Sequence, residues 1–533
     1  MELFVLNITK DKAWLPRPKM VLALLIIVAV VVYATIHLDP YIGLLMLPFF
    51  ALGCGRGKHP AVLLALSALP ALLLFVASRI KFALTGLPLV TYDQHFLRQN
   101  VLMLVYNDWR IAGAVVVTLA LVALYFKHLL TGRHVFTRFE KGAVGALGIT
   151  AIGCVLGLRG WNQTIDSWES QMATPTIQTF VASASMPGAQ LHLTAGAQAA
   201  TGGALDGARA NAASTPLISP AGGLPDIFIV LQESTFHPAV VKPGFTPHAL
   251  FADAGLKNTA GHTGPLHVHT FAGATWKSEF SVTTQMRPQE FGNDGLYVFY
   301  QLKGRIKESI FTRLKALGYR TMVFYPVPGH FINARDFYTS IGVDEFYDPE
   351  SLEISKGWDW KIPDSKLYDA MLKKIGESDT PVVAMMLTIN QHGPHEGPDP
   401  IADYVTRFEQ SDQAYGDFLT ALGQRSRKSG VITFGDHQPD FMANLHDRAL
   451  WYSTAYDIRC VNFSCADRGV TLRHDKQLDI VMLAPRALEA FGFGLDGFST
   501  LENKLFRDCD YDLSLCSDAA RLGVNTAFTK FFD

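Results

Sequence analysis

The pattern of apolar and polar positions changes character twice along this chain. Through about residue 160, long apolar runs nearly free of charge alternate with short polar stretches. Residues 20–37 (MVLALLIIVAVVVYATIH) approach the ~20 residues needed to cross a bilayer. They follow Lys10, Lys12, Arg17 and Lys19, and more apolar runs come after them, so they read as a retained helix and not a cleaved signal. Further runs cover 41–54, 60–78, 111–125 and 143–158; the run at 41–54 is short and contains Pro48. A count of about five spans puts the N-terminal basic cluster, Arg56 with Lys58, and Lys127, Arg133, Arg138 and Lys141 on one side. That matches the positive-inside bias and sends the C-terminal part out of the cytoplasm. Between the third and fourth runs, the mixed stretch 79–110 suits the membrane-water boundary, with Asp93 and His95 its notable polar residues.

From 161 to 185 the pattern is that of an amphipathic connecting helix. Residues 187–223 then become rich in Ala, Gly, Ser and Thr and cannot bury enough surface to fold alone, which predicts a linker. After Pro225, short β-rich runs at 227–231, 320–324, 382–387 and 431–434 alternate with helical stretches at 309–317, 365–376 and 404–422. This alternation predicts a mainly parallel sheet with helices on both faces, whose ligands bind beyond the carboxyl ends of the strands. The expected organisation is a helical membrane anchor over 1–160, a connecting helix and linker over 161–223, and an α/β domain over 224–533.

Composition adds little beyond exclusions. A net charge of −2 over 533 residues gives no bulk basic field for nucleic acid, and no P-loop, dinucleotide fingerprint or HExxH motif is present. Cys54 and Cys154 lie in apolar runs, whereas Cys460 with Cys465 and Cys509 with Cys516 form close pairs. Such pairs in an exported domain predict two small-loop disulfides and an oxidising compartment.

The candidate chemistry sits at strand ends. The runs at 227–231, 382–387 and 431–434 lead into Gln232-Glu233-Ser234, Asn390-Gln391-His392-Gly393-Pro394-His395 and Gly435-Asp436-His437-Gln438. Carboxylates and imidazoles converging from several strands are what a divalent metal with mixed oxygen and nitrogen ligands requires, with Zn or Mn fitting. In GATWKSEF, Thr275 is a hydroxyl among small residues, a weak nucleophile unless a metal or base activates it. Ser278 and Thr270 are its alternatives. His262, His267 and His269 precede it and read as loop or strand histidines in preference to a second metal site. Asp364 reads as a helix cap, and Lys277 with Glu279 as a local pair on a helix starting near Thr275.

The ordered set QES, ATWKSEF, NARDFY, NQHGPH and FGDHQP resembles the lipoteichoic acid synthase branch of the alkaline phosphatase and sulfatase superfamily, which is related to the phosphoethanolamine transferases. The resemblance implies an anchor of about five transmembrane helices and an extracytoplasmic sulfatase-like domain. It implies one divalent ion, Mn or Zn, held by Glu233, Asp436, His437 and Thr275, with Thr275 also the nucleophile. Arg335 would contact phosphate and His392 the head group; His330 and His395 would support them. Where the synthases carry tryptophan before that arginine, this chain has Asn333. The implied activity is a metal-dependent transferase. It would move phosphoglycerol, or alternatively phosphoethanolamine, from phosphatidylglycerol or phosphatidylethanolamine through a phospho-threonine to a glycan or glycolipid. The expected location is the bacterial cytoplasmic (inner) membrane, multi-pass, with the catalytic domain on the periplasmic side. A hydrolase using the same site and a non-catalytic envelope-binding protein are the competing classes.

Overall fold

The computed structural model describes residues 60–85, 88–94, 109–130 and 177–183, positions 29, 45, 46 and 49, and the chain from 215 onward except 253–262, 356–358, 377–379, 396, 446–449, 467–476, 517–524, 526–527 and 531–533. The expected spans at 20–37 and 143–158, most of 41–54 and most of 161–223 lie outside the described residues, as do His95 and His262. The chain divides into two compact units, residues 1–83, 88–163 and 170–186, and residues 84–87, 164–169 and 187–533.

In the first unit, helices Pro60–Thr85 and Trp109–Leu130 fall on the third and fourth apolar runs. Among the described residues no helix is long and apolar enough to cross a membrane. Leu72, Leu73, Val76 and Ile80 on the first helix, and Val116, Leu119, Leu121 and Leu124 on the second, are nevertheless exposed. Asp93 pairs with Lys81 at 2.7 Å and accepts the Val90 amide at 2.8 Å, so it fastens a turn.

The second unit is built on an eight-stranded sheet. Its strands are β1 (Asp226–Gln232), β2 (Thr263–His267), β3 (Arg320–Phe324), β4 (Glu345–Tyr347), β5 (Val382–Leu387), β6 (Ser429–Gly435), β7 (Ser453–Val461) and β8 (Leu478–Asp479), in the order β4-β3-β5-β1-β6-β7-β2-β8. Strands β4, β3, β5, β1 and β6 are mutually parallel, and β7 alone runs against its neighbours. Every residue of β1, β5 and β6 is buried, which is why these strands read as continuous apolar runs and not as alternating ones.

Helices cover both faces. Thr433 of β6 donates to the Tyr415 hydroxyl of helix Pro400–Gly423. Gly430, three residues earlier and therefore on the opposite face, lies where a Cβ would strike the Phe491 ring after helix Leu483–Ala490. Helix Pro400–Gly423 starts on Asp399, whose carboxylate accepts the Ile401 and Ala402 amides, with Pro400 at its first position. It buries Tyr404, Phe408, Tyr415 and Phe418 along one face; Phe418 meets Phe228 of β1 edge-on at 5.6 Å and stacks on Tyr368 of helix Asp364–Ile375 at 4.6 Å.

Strands β2, β4, β7 and β8 were not expected from the hydrophobic pattern. Both expected disulfides are present, Cys460–Cys465 and Cys509–Cys516.

Candidate active site

Parallel pairing of β1 with β6 sets Gln232 opposite Gly435, so the next residue of each strand, Glu233 and Asp436, leaves the sheet at the same point of its rim. Gly435 permits this closeness: a Cβ there would lie 1.7 Å from the Thr235 carbonyl oxygen. Ser234 turns the chain with φ 50°. Its amide donates to Asp436 Oδ1 at 2.7 Å and its hydroxyl to Glu233 Oε1 at 2.8 Å.

Helix Thr275–Thr284 begins at the third corner. The loop leading into it holds Ala272 at φ 57°, Gly273 at φ 150° and Ala274 at φ 62°. A left-handed alanine costs roughly 1–2 kcal/mol each, so surrounding contacts fix the bend. One of them is the Ala272 amide donating to the Gln438 carbonyl at 3.0 Å. The Thr275 hydroxyl emerges donating to Glu233 Oε2 at 3.1 Å and lies 3.4 Å from His437 Nε2.

Glu233, Asp436 and His437 are all buried, and each offers a ligand atom within 4.8 Å of the others. His437 Nε2 stands 3.2 Å from Asp436 Oδ2 and 3.5 Å from Glu233 Oε1, while its Nδ1 lies 3.0 Å from the Gln438 carbonyl. That carbonyl orients the ring and leaves Nε2 to face the carboxylates. Burial holds the imidazole below its usual pKa, against the pull of Glu233, so the ring is in its neutral, metal-ligating form. Burial, then the Glu233 charge, push the Asp436 carboxyl well above the usual carboxylate range. Asp436 Oδ2 is buried without a hydrogen-bond partner. Two buried carboxylates sharing a site, one with an orphaned oxygen, leave a cation-shaped deficit. The residues therefore fit a divalent ion with oxygen and nitrogen ligands.

Arg335, His392 and His395 are engaged by other groups. Arg335 spends its guanidinium on Asp348 at 2.6 Å, on the Phe346 carbonyl and over the Phe346 ring. The His392 ring lies against Trp360, tilted by 32° with centroids 4.3 Å apart, its Nδ1 2.7 Å from the Gly393 carbonyl. His395 is packed edge-on between Tyr404 and Phe441, with both ring nitrogens lacking hydrogen bonds; burial, and then Arg407, lower its pKa to about 4. His330 is exposed at the start of the turn Phe331–Asn333. Asn333 donates to the Phe299 carbonyl at 3.2 Å.

Two local expectations are corrected. Glu279 does not pair with Lys277, because residues two apart on a helix do not face each other; its carboxylate accepts the Tyr338 hydroxyl at 2.6 Å and the Tyr325 hydroxyl at 3.3 Å. Asp364 does not cap its own helix. It holds the loop after β5 by accepting the Ile389 and Asn390 amides, each at 3.1 Å, and the Ser411 hydroxyl. Ser278 is buried, donating to the Asp436 carbonyl at 2.6 Å, and Thr270 donates to the Gly273 carbonyl, so both hydroxyls hold backbone in place. Tyr325 and Tyr338, which donate to Glu279 one helical turn after Thr275, are neighbours that no sequence signal marks.

The Sulfatase family model matches residues 225–463. An uncharacterized protein of Haemophilus influenzae is 30% identical over 261 residues, 43% of this chain and 47% of that protein. The lipoteichoic acid synthase-like protein YvgJ of Bacillus subtilis is 24% identical over 185 residues, 32% of this chain and 29% of its own. The chain thus spans less than half the length of the curated relatives it matches. Among solved structures, a Streptococcus pyogenes phosphoglycerol transferase in complex with sn-glycerol-1-phosphate is 15% identical with a TM-score of 0.46, covering 64% of this chain and 94% of that one.

Proposed function

We propose that the protein, whose residues 225–463 match the Sulfatase family model, is a membrane-anchored, metal-dependent transferase. It takes a phosphoglycerol head group from phosphatidylglycerol onto Thr275 and passes it to an envelope glycan or glycolipid. The observation that carries this reading is the Thr275 hydroxyl, 3.1 Å from Glu233 and 3.4 Å from His437, beside the orphaned Asp436 Oδ2. Glu233, Asp436, His437 and Thr275 would hold one Mn or Zn ion. Bound there, it would lower the pKa of the hydroxyl and share the charge of the phosphoryl oxygens.

The chain's own part begins with orientation. Glu233 Oε2 aims the Thr275 proton away from the attacking lone pair and accepts it as the Oγ1–phosphorus bond forms. The bond from phosphorus to the diacylglycerol oxygen breaks, and that oxygen takes up a proton. The phosphorylated threonine then sits at the first position of a helix, where negative charge is favoured. An acceptor hydroxyl repeats the displacement, giving ping-pong kinetics. We assign the anchor to residues 1–160, the connection to 161–223 and the catalytic domain to 224–533, outside the bacterial cytoplasmic membrane. The exposed apolar side chains of helices Pro60–Thr85 and Trp109–Leu130 support the anchor, and the two disulfides support an oxidising compartment. The relation to a lipoteichoic acid synthase-like protein favours the glycerol head group. Arg335 and His392, with His330 and His395 behind them, are the candidate head-group residues on this reading.

The test uses the full chain in detergent with Mn or Zn and labelled phosphatidylglycerol or phosphatidylethanolamine. Diacylglycerol release, with a matching mass increase on the Thr275 peptide, is expected from phosphatidylglycerol. Release from phosphatidylethanolamine alone reassigns the donor, and free head group without a modified acceptor means hydrolysis. Thr275→Ala should lose at least about a thousandfold in rate. No diacylglycerol from either lipid rejects the proposal.

A further inference from the structure

Two strand spacings along the same rim, about 10 Å from β6 across β7 to β2, a second group of ligand side chains comes together. His267 ends β2 and is paired in register with Asp479, which ends β8. His269 lies two residues further on, in a bend past the end of β2, and its ring centroid is 5.2 Å from that of His267. His267, His269 and Asp479 each present a ligand atom within 4.8 Å of the others.

We infer that His267, His269 and Asp479 form a second divalent-metal site, of zinc type, distinct from the cluster around Thr275. The His269 Nε2 to Asp479 Oδ1 separation is 3.0 Å, close to the roughly 3.4 Å expected of two ligands on one tetrahedral zinc ion. The Gln289 amide lies 3.1 Å from His269 Nδ1. Metal binding at Nε2 requires the Nδ1–H tautomer, with the Gln289 amide turned so that its oxygen accepts that proton, the outer hydrogen bond that orients a metal-ligating imidazole. Asp479 also accepts the Val481 amide at 3.1 Å, which holds its carboxylate in place. The guanidinium of Arg287 is turned to Glu290 at 2.9 Å. His267, half-buried beside Tyr452, closes the third side.

The site has a mechanical consequence. Residues 268–274 run directly from these histidines to Thr275, and the far end of that loop is tied to Gln438 through Ala272. An ion at His267 and His269 fixes the near end, so its occupancy sets how firmly Thr275 is presented.

Tag-free full chain in detergent is stripped with chelator, reloaded with zinc, freed of excess ion and assayed for bound metal by mass spectrometry. Two equivalents are expected in the wild type, one in His267→Ala and one in Asp436→Asn. Zinc added to Asp436→Asn should slow amide hydrogen exchange over 268–274, and should not do so when His267→Ala is combined with it. A wild type holding one equivalent that Asp436→Asn abolishes would overturn this second site while leaving the first intact. Loss of one equivalent in His267→Ala but none in Asp436→Asn would do the reverse. Equal metal content in wild type and His267→Ala also rejects the inference.

Discussion

Replacing Glu279 by glutamine should change the slope of stability against pH more than its height. Glu279 lies one helical turn beyond Thr275 and is fully buried; among the described residues its side-chain hydrogen bonds come from the Tyr338 and Tyr325 hydroxyls. Burial pushes its pKa from 4.5 to about 8, overcoming those two bonds, with Asp436 and Glu233 adding to the rise. The folded protein therefore keeps a proton that the unfolded chain releases. Its stabilising effect is complete below pH 4.5 and is lost as pH climbs through 8. Within that window stability should fall by about 1.4 kcal/mol per pH unit, on the order of 5 kcal/mol in total. Glutamine preserves the shape and the acceptor for Tyr338 and cannot ionise. Urea unfolding of both proteins in chelator, followed by tryptophan fluorescence at pH 5.5, 6.5 and 7.5, measures the difference. Glu279→Gln should gain on the wild type by roughly 2–3 kcal/mol between the first and last points. Parallel pH profiles would show that the carboxylate is ionised when buried and refute the reasoning.

Two further substitutions probe the scaffold. Gly435→Ala must move the Thr235 carbonyl that its Cβ would strike, and should cost about 3 kcal/mol or more together with metal affinity, read by thermal unfolding with and without zinc. Ser278→Ala removes the hydroxyl that satisfies the Asp436 carbonyl. It should lower stability by about 1–2 kcal/mol while lipid turnover stays within about threefold, an outcome that a nucleophilic Ser278 would contradict.

What could be read in the sequence follows from burial. Strands β1, β3, β5 and β6 lie within about two residues of the apolar runs that announced them, because a sheet covered on both sides needs unbroken apolar strands. Strand β2 carries Gly264 and Pro265, residues that argue against a strand when only propensity is visible. β8 has two residues and β4 three, too few to show a period. Glu233, Asp436 and His437 were legible because strand ends in such sheets point to one rim. The partners of Glu279, Asp364 and Arg335 were not, since Tyr338, Ser411 and Asp348 reach them only through tertiary packing. His267 and His269 carry no signal of their own in the sequence, because only the pairing of β2 with β8 sets Asp479 beside them.

The register of β1 against β6 also sets the order of events when the molecule is made. Ser234 and Asp436, bonded across the rim, are 202 residues apart in the chain, and contacts of such separation form late. A chain emerging from its N-terminus has Glu233 and Thr275 long before Asp436 and His437 exist. Until β6 has been synthesised and has docked in the right register, no ion can find its full set of ligands. Loading of the Glu233–Asp436–His437 group is thus a report on completed folding, and a chain truncated before residue 436 would be metal-blind from birth.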